Sequence, residues 1–416
     1  MIYPRFRLYT RFLQYLQAFV YILGFRRYRG TRQTLEQTLA ADLQREVVVF
    51  NQCRVGIYHV LNELIRRTGR QEVLMSPYTL FDVVNMVIAA GGIPRFIDVD
   101  GESLHPGLGS FSKALRKKKN VVAALVTHYH QAAPDLAGIH ALLKKSGIPL
   151  LEDCAIAFGG SYRGSKLGAI GEYSFFSFGR MKNVSTFFGG AVASRDSSMI
   201  EHLEQVDAGY PSITRMQIFK ALIYSLIIET ITHPITWTLF FHHFFAYGYK
   251  NQVRWIEFLI RPDKDIALKT ELPDSYKLRI SDVQCAMILR GLKREKSDRL
   301  KRVALARLYS EQLGGLEGIV VPCEPVLESD PMLEFPVLAE DRDQLFLRLQ
   351  SAGIDCRKYY YRDCASLPAF QQYAAPCPRV RELEDSLIML SVYPGYPIRR
   401  ARRAARIIRE SHRAKA

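Results

Sequence analysis

The sequence predicts an α/β protein built on a mostly parallel central sheet flanked by helices, and three observations carry that prediction. Short apolar runs recur between residues 46 and 194, they alternate with helix-length stretches, and they are apolar at successive positions rather than at every second one. That is the pattern of strands covered on both faces. With 416 residues, 48% of them hydrophobic, the chain can also bury a core large enough for two units.

Taken in order, residues 1–45 read as a basic, apolar N-terminal arm. Arginines alternate with large apolar side chains and no acid precedes Glu36. The apolar run from Phe12 to Phe25 is interrupted by Gln14 and Gln17, too short and too polar to span a bilayer. It also lacks the small-residue cleavage site of a secretory signal. Either an interfacial helix over 1–30 or an arm packed on a partner subunit fits this composition.

Residues 46–270 read as the large unit. Its strands are predicted at 47–50, 72–76, 94–100, 121–127, 148–153, 173–178 and 189–194, with helices such as 54–68 and 79–90 between them. Ligands of such sheets sit at the carboxyl ends of strands, where the loops after Phe50, Ser76, Thr127 and Asp153 converge. Within this unit, 216–249 forms an apolar insert: between Glu229 and Lys250 there is no Lys, Arg, Asp or Glu. Pro234 breaks the run, so two short apolar helices forming a hairpin are expected, sheltered by one membrane leaflet or by a second subunit.

Residues 271–416 begin with one long helix over 281–313 and continue as a smaller C-terminal α+β unit with strands near 318–322 and 333–338. The stretch from Arg399 carries seven Arg and one Lys against a single Glu, and the whole chain has a formal net charge of +16. Anionic membranes, nucleic acids or phosphate-bearing substrates would be attracted to it. Neither basic end matches a nucleic-acid module, so no nucleic-acid partner is expected. Seven scattered cysteines without a C-x-x-C pair argue against a disulfide framework and against a metal site, and suit a reducing cytoplasm.

The chemistry concentrates between residues 151 and 196. Asp153 ends one strand, and twenty-nine residues later Lys182 follows another. A carboxylate and an amine at neighbouring strand ends are what pyridoxal 5'-phosphate requires: the amine forms a Schiff base and the carboxylate keeps the pyridine nitrogen protonated. Around them stand Glu152-Asp153, Gly171-Glu172, Phe176-Ser177-Phe178, Lys182-Asn183 and Gly189-Gly190. Further blocks are "SPYTLFDVVNMVIAAGGIPRFIDVD" (76–100), "KLRISDVQCAMILRGLKR" (277–294), "RKYYYRDCASLPAF" (357–370) and "LSVYPGYP" (390–397).

Together these blocks resemble, in order and over roughly residues 40 to 400, the DegT/DnrJ/StrS family of pyridoxal-phosphate-dependent aminotransferases. The resemblance implies the type I fold of these enzymes, a homodimer, and Lys182 as the catalytic amine. Members that dehydrate sugars carry a histidine there, so a lysine implies transamination. By the same resemblance Asp153, Ser177 and Asn183 belong to the cofactor site, Ser177 as a donor to its phosphate. Cys53 and Arg54 stand where the family opens its phosphate-binding helix with Gly-Thr, and Arg54 could still hold a phosphate by its charge. Lys277 stands where an asparagine reaches the neighbouring subunit's phosphate. Ile156 replaces a glutamine near the cofactor ring. An aromatic from Tyr78 or Phe81 is expected against that ring. His128 or His130, and the cluster of Tyr359, Tyr360, Tyr361 and Arg362, fall where the family contacts sugar substrate.

These readings imply an enzyme that moves an amino group, with glutamate the expected donor, to a keto-sugar or related carbonyl compound, nucleotide- or lipid-linked, for sugar or cell-envelope polysaccharide biosynthesis. The basic N-terminus and the insert point to a cytoplasmic protein held at the inner face of the membrane. A binding protein that kept the fold and lost the activity is the alternative, given the departures at Cys53, Arg54 and Ile156.

Overall fold

The computed structural model describes residues 1–100, 104–116, 120–129, 135–253, 255–256, 266–358 and 360–413. Its centre is a seven-stranded sheet in the order Glu46–Phe50, Gly190–Ser194, Tyr173–Ser177, Leu150–Asp153, Val121–Thr127, Glu72–Met75, Ile93–Phe96. Only Gly190–Ser194 runs against the rest, pairing antiparallel on both sides, while the other neighbouring pairs are parallel. The continuous apolar runs follow from this burial. In the first strand Val47 and Val49 enter the core on one face of the sheet, and Val48 and Phe50 enter the core on the other.

Helix Cys53–Thr68 starts just beyond the first strand and lies close on the sheet at Gly56, where a Cβ would collide with the side chain of Val192. At its start a Cβ on Gly190 would collide with the backbone of Cys53. Glycine at both points lets the helix start sit against the end of the antiparallel strand, beside the loop that carries Lys182.

The long helix spans Asp282–Leu313, opened by a capping box between Ser281 and Gln284. Its first half packs on the main sheet's core, and its second half packs on a three-stranded antiparallel sheet, Ile319–Val320, Phe335–Ala339 and Leu387–Leu390. The last of these strands was not expected.

The N-terminal residues lie on the body rather than reaching away from it. Arg5 donates through its backbone N (2.7 Å) and Nε (2.9 Å) to Asp355, and Ile2 donates to Thr238 Oγ1 at 2.8 Å. Helix Phe12–Ile22 then buries Gln14 and Ala18, with Gln14 Nε2 donating to the carbonyls of Met287 and Ser185.

The apolar insert departs from the expected hairpin. Helix Arg215–Ile231 is followed by Pro234–Lys250, and the two are bent by 52° at the break instead of folding back on each other. Pro234 occupies the first turn of the second segment, where its missing N–H costs nothing, so the chain turns and continues. The second segment is held by the N-terminal residues, Ile2 bonding Thr238, and by Phe346, against which the ring of Tyr249 stands edge-on. Among the described residues no single helix is long and apolar enough to cross a membrane; the bent pair meets that test by length and composition together.

Candidate active site

Parallel strands Val121–Thr127, Leu150–Asp153 and Tyr173–Ser177 deliver Thr127, Asp153 and Ser177 to one edge of the sheet. The loop that follows Ser177 turns back to Gly190 and carries Lys182 on the way. Lys182 N donates to Gly179 O at 3.4 Å, and Met181 sits at φ 65°, a left-handed conformation that is costly for a side chain of its size. The cleft at this edge encloses about 230 Å³. Asp153, Ser177 and Lys182 line it, with Cys53 and Arg54 from the helix start and Leu80 and Tyr360 from opposite walls.

Asp153 is buried and Lys182 is half-buried on the cavity wall. Desolvation lowers the pKa of the Lys182 amine, and the nearby Asp153 carboxylate only partly offsets it. Desolvation raises the pKa of Asp153, opposed by a hydrogen bond to Oδ1 from Ala155 N (3.0 Å) and by the charge of Lys182. Thr127 Oγ1 donates to Asp153 Oδ2 at 3.4 Å. The result is a carboxylate fixed at a strand end and an amine biased toward its neutral form, facing one cavity.

Arg54 reaches the cleft, but its guanidinium is committed elsewhere. It pairs with the Asp82 carboxylate, bonds Tyr276 Oη at 3.2 Å and stacks 5.0 Å from the Tyr276 ring centroid. Lys269 binds the same carboxylate, Nζ to Oδ1 at 2.5 Å. The expected fork toward a phosphate is therefore turned sideways into a cluster of two cations and one acid. The helix start and the Ser177 hydroxyl are the anion-binding features left at this end.

Several expected residues lie behind the cleft rather than on it. Tyr78 is fully buried, its ring edge-on to Tyr129 and Tyr361, and its hydroxyl accepts from Tyr361 N at 3.5 Å. Phe81 opens the helix Phe81–Ala89 on the far side of Leu80, with Lys269 Nζ 5.9 Å from its ring. Neither ring lines the cavity, whose aromatic walls are Phe188, Tyr360 and Tyr361. Ile156 packs in the same buried cluster as Tyr78 and Tyr129.

His128 is also buried, pairing through Nε2 with Glu152 Oε2 at 3.0 Å. Glu152 further accepts from Gly168, Ile170 and Gly171 N–H groups; desolvation pushes its pKa up, and the hydrogen bond and charge of His128 with the Gly168 and Gly171 amides together bring it below the usual carboxylate value. His128, Glu152 and Cys154 offer atoms within 4.8 Å of one another. The carboxylate is already saturated, however, so the group braces the strand ends rather than offering an open site. Asn183 turns inward to donate to Phe158 O at 2.6 Å. Lys277 pairs with Asp274 at 2.8 Å on the surface, away from this cleft. Arg362 binds Glu384, although its strand, Arg362–Asp363, pairs with Tyr78–Thr79 and so brings Tyr360 and Tyr361 to the cavity. Tyr359 and His130 lie outside the described residues.

Two cationic wall residues were not anticipated: Arg180 and Arg357. Arg180 stands two positions before the lysine in an otherwise apolar and small-residue stretch, a signal visible in the sequence. Arg357 heads the aromatic run 357–362 and pairs with Glu334 at 2.7 Å.

Known proteins share this architecture. The sugar aminotransferase CalS13 from Micromonospora echinospora superposes with a TM-score of 0.76 at 20% identity, over 99% of this chain and 100% of that one. The aminotransferase TlmJ from Streptoalloteichus hindustanus gives 0.74 at 19% identity, over 100% of both chains. In sequence, the UDP-4-amino-4,6-dideoxy-N-acetyl-beta-L-altrosamine transaminase of Campylobacter jejuni is 25% identical over 299 residues, 70% of this chain and 66% of that protein. GDP-perosamine synthase of Vibrio cholerae is 31% identical over 143 residues, 34% of this chain and 38% of that protein. The chain thus spans less than two thirds of the length of the curated relatives it matches. A family profile aligns with residues 24–218 and 260–408 on both sides of the apolar insert, and the chain belongs to the DegT/DnrJ/EryC1/StrS aminotransferase family.

Proposed function

We propose that the protein is an aminotransferase that takes an amino group from an amino acid, with glutamate the first donor to try, and delivers it to a keto-sugar-type carbonyl compound carried on a nucleotide or a lipid. The single observation that supports this most is the pairing of a pKa-lowered Lys182 amine with a fixed Asp153 carboxylate on one cavity wall.

Aminotransferases of this family use pyridoxal phosphate, and the donor set of this cleft fits that cofactor. Lys182 would attach it, Asp153 would hold its ring nitrogen, and Ser177 with the start of helix Cys53–Thr68 would hold its phosphate. When bound, pyridoxal phosphate supplies the electron sink that lets an amino acid release its amino group. Lys182 Nζ, more often neutral than an exposed lysine, takes and returns a proton at the reacting carbon. Asp153, held by the Ala155 amide, keeps the proton on its partner nitrogen. Tyr360 and Arg357 stand on the wall toward which a sugar bearing phosphate would extend. In a homodimer Lys277 would face the neighbouring subunit's phosphate as a point charge.

The basic ends and the apolar insert support a site of action at the inner face of the membrane, where a lipid-linked acceptor or a membrane-bound partner would be met. An absorbance spectrum of the purified protein, with and without glutamate and beside Lys182→Ala, tests the reaction. A visible band that bleaches with the donor and is altered in the variant is expected. No band after added pyridoxal phosphate would overturn the reading in favour of a binding protein, for which the diversion of Arg54 to Asp82 is the favouring observation.

A further inference from the structure

The loop that carries Lys182 is backed by the apolar helices. Arg180 leaves the cleft wall and enters helix Arg215–Ile231: Nε donates to Ser225 Oγ at 3.0 Å and Nη2 to Ala221 O at 3.3 Å. Its guanidinium lies between two rings, 4.9 Å from the centroid of Phe188 and 4.8 Å from that of Tyr224. Farther along the same loop, Ser185 meets Thr10 Oγ1 at 3.0 Å and accepts from Gln14 Nε2, and Phe187 stacks on Tyr15. The loop is therefore fastened to the inner side of two helices, Phe12–Ile22 and Arg215–Ile231.

Those helices run antiparallel. Arg215 at the start of one lies 5.5 Å from the ring of Tyr21 at the end of the other, and at the opposite end Glu229 meets Arg7 and Tyr15. Their outer side is apolar and exposed among the described residues: Phe12 is 76% exposed, Phe19 50%, Phe219 42%, Ile223 41% and Ile227 50%. Arg26, Arg27 and Arg29 follow the first helix in sequence, just beyond the end where Tyr21 meets Arg215. An apolar face followed by such arginines is complementary to the headgroup and acyl boundary of an anionic leaflet. Most of the second helix also lies in the stretch that the family profile leaves out.

Resting on the aminotransferase and membrane readings above, we propose that Arg180 is a positioning residue that ties the Lys182 loop to this helix pair, so that seating the pair's outer face in an anionic lipid surface raises turnover. In water, helix Arg215–Ile231 is held by one narrow buried side, Ile218, Ala221, Leu222 and Ser225. Covering the outer side restricts the helix further, and Arg180 passes that restriction to the loop two residues before the reacting amine. Misplacement of a reacting group by about 1 Å costs on the order of 100-fold in rate, so a small gain in order at the loop is enough to register.

The test uses full-length holoenzyme with phosphatidylcholine vesicles, with or without phosphatidylglycerol, and four proteins: the wild type, Arg180→Gln, Arg180→Lys, and the double variant Phe219→Ser with Ile223→Ser. Co-sedimentation, kcat and KM for the glutamate half-reaction, and the visible circular-dichroism band of the bound cofactor are read together. The wild type should sediment with the anionic vesicles, raise kcat without changing KM, and strengthen its dichroic band. Arg180→Gln should sediment equally, with a lower kcat and a weaker band that no longer respond, and Arg180→Lys should restore part of both. The serine double variant should keep its basal kcat and lose sedimentation and response. An Arg180→Gln protein that responds like the wild type, or a wild type that sediments with no change in kcat or dichroism, overturns the proposal. So does a helix pair covered instead by a second copy of the chain, seen as a dimer that the serine variant dissociates without any vesicle binding. Loss of sedimentation alone overturns the lipid surface and leaves amino transfer standing. A dichroic band that responds while no half-reaction runs in any sample counts against the aminotransferase reading and leaves the Arg180 link standing.

Discussion

In the cleft, a buried carboxylate, Asp153, and a half-buried amine, Lys182, share one cavity wall, whereas along helices Phe12–Ile22 and Arg215–Ile231 phenylalanine and isoleucine side chains stand outside the core. Each arrangement is unfavourable by itself. Burial of a charge is tolerable only with partners, and Asp153 has them in the Ala155 amide, Thr127 and Lys182. Exposed apolar groups on this scale call for a cover that the described residues do not supply. The contrast teaches that the two regions are stabilised differently: the cleft's charged groups find partners within the described residues, and the outer side of the helix pair does not find an apolar one there.

The strongest way to break this comparison is to remove the amine of the cleft. Lys182→Ala is expected to abolish amino transfer and change the visible spectrum while leaving vesicle binding untouched, as checked by absorbance and co-sedimentation. A variant with residual activity near that of the wild type would mean that the cleft is not the reacting site.

Next in size, Asp153→Asn should keep the fold and lower kcat by roughly 100- to 10,000-fold, the range seen when a proton-holding group or its orienting acid is lost. It also tests the electrostatics. Desolvation lowers the Lys182 pKa, Asp153 raises it and Arg54 lowers it. Removing Asp153 should therefore move the pH midpoint of Lys182 acylation, followed in cofactor-free protein by mass spectrometry, further down. Arg54→Gln should move it up. Movement in the same direction for both variants would show that burial changes, and not the two charges, control the amine.

The inner side of the helix pair provides a third, smaller effect. Ile218 is completely buried, and Ile218→Ala should cost about 2–4 kcal/mol of unfolding free energy through lost burial and the cavity left behind. Urea titration would show it as a lower midpoint at unchanged slope. A near-neutral result would mean that the helix is not seated on the body as described.

Much of this was legible before any coordinates. Residues 121–127 read as a strand because Val121 and Val126 face one core while Val122 and Leu125 face the other, so the run has no polar gap. Lys182 and Asp153 were legible because the surrounding blocks resemble a known family; an amine and a carboxylate at strand ends are weak evidence by themselves. What stayed hidden depends on contacts distant in sequence. Arg54 is drawn away by Asp82, Lys269 and Tyr276, and no local pattern announces that convergence. An aromatic from Tyr78 or Phe81 was expected against the ring, and Tyr78 is covered by Tyr129 and Tyr361, because the two-residue strand at 362–363 brings Tyr361 over it. The insert looked like a hairpin because Pro234 breaks a helix. A break sets no direction, and the direction comes from Thr238 being held by Ile2 and Tyr249 by helix Arg342–Ser351.

The smallest expected effect is the one that most sharpens the contrast between inner and outer sides. Ile223 lies on the same helix as Ile218, one turn and a half farther on, yet 41% of it is exposed. If that outer side belonged to the folding core, Ile223→Ser would destabilise by a cost comparable to Ile218→Ala, because a hydroxyl would replace packed methyl groups. If it is a surface held for something outside the chain, the change should stay within about 0.5 kcal/mol of the wild type, as surface substitutions usually do. The two sides of a single helix would then differ severalfold in their cost under identical buffer, denaturant and chain length. Paired urea titrations read that ratio directly, and a ratio near one would mean that helix Arg215–Ile231 is an ordinary core helix whose exposure in one chain is covered in the folded protein as it exists in solution.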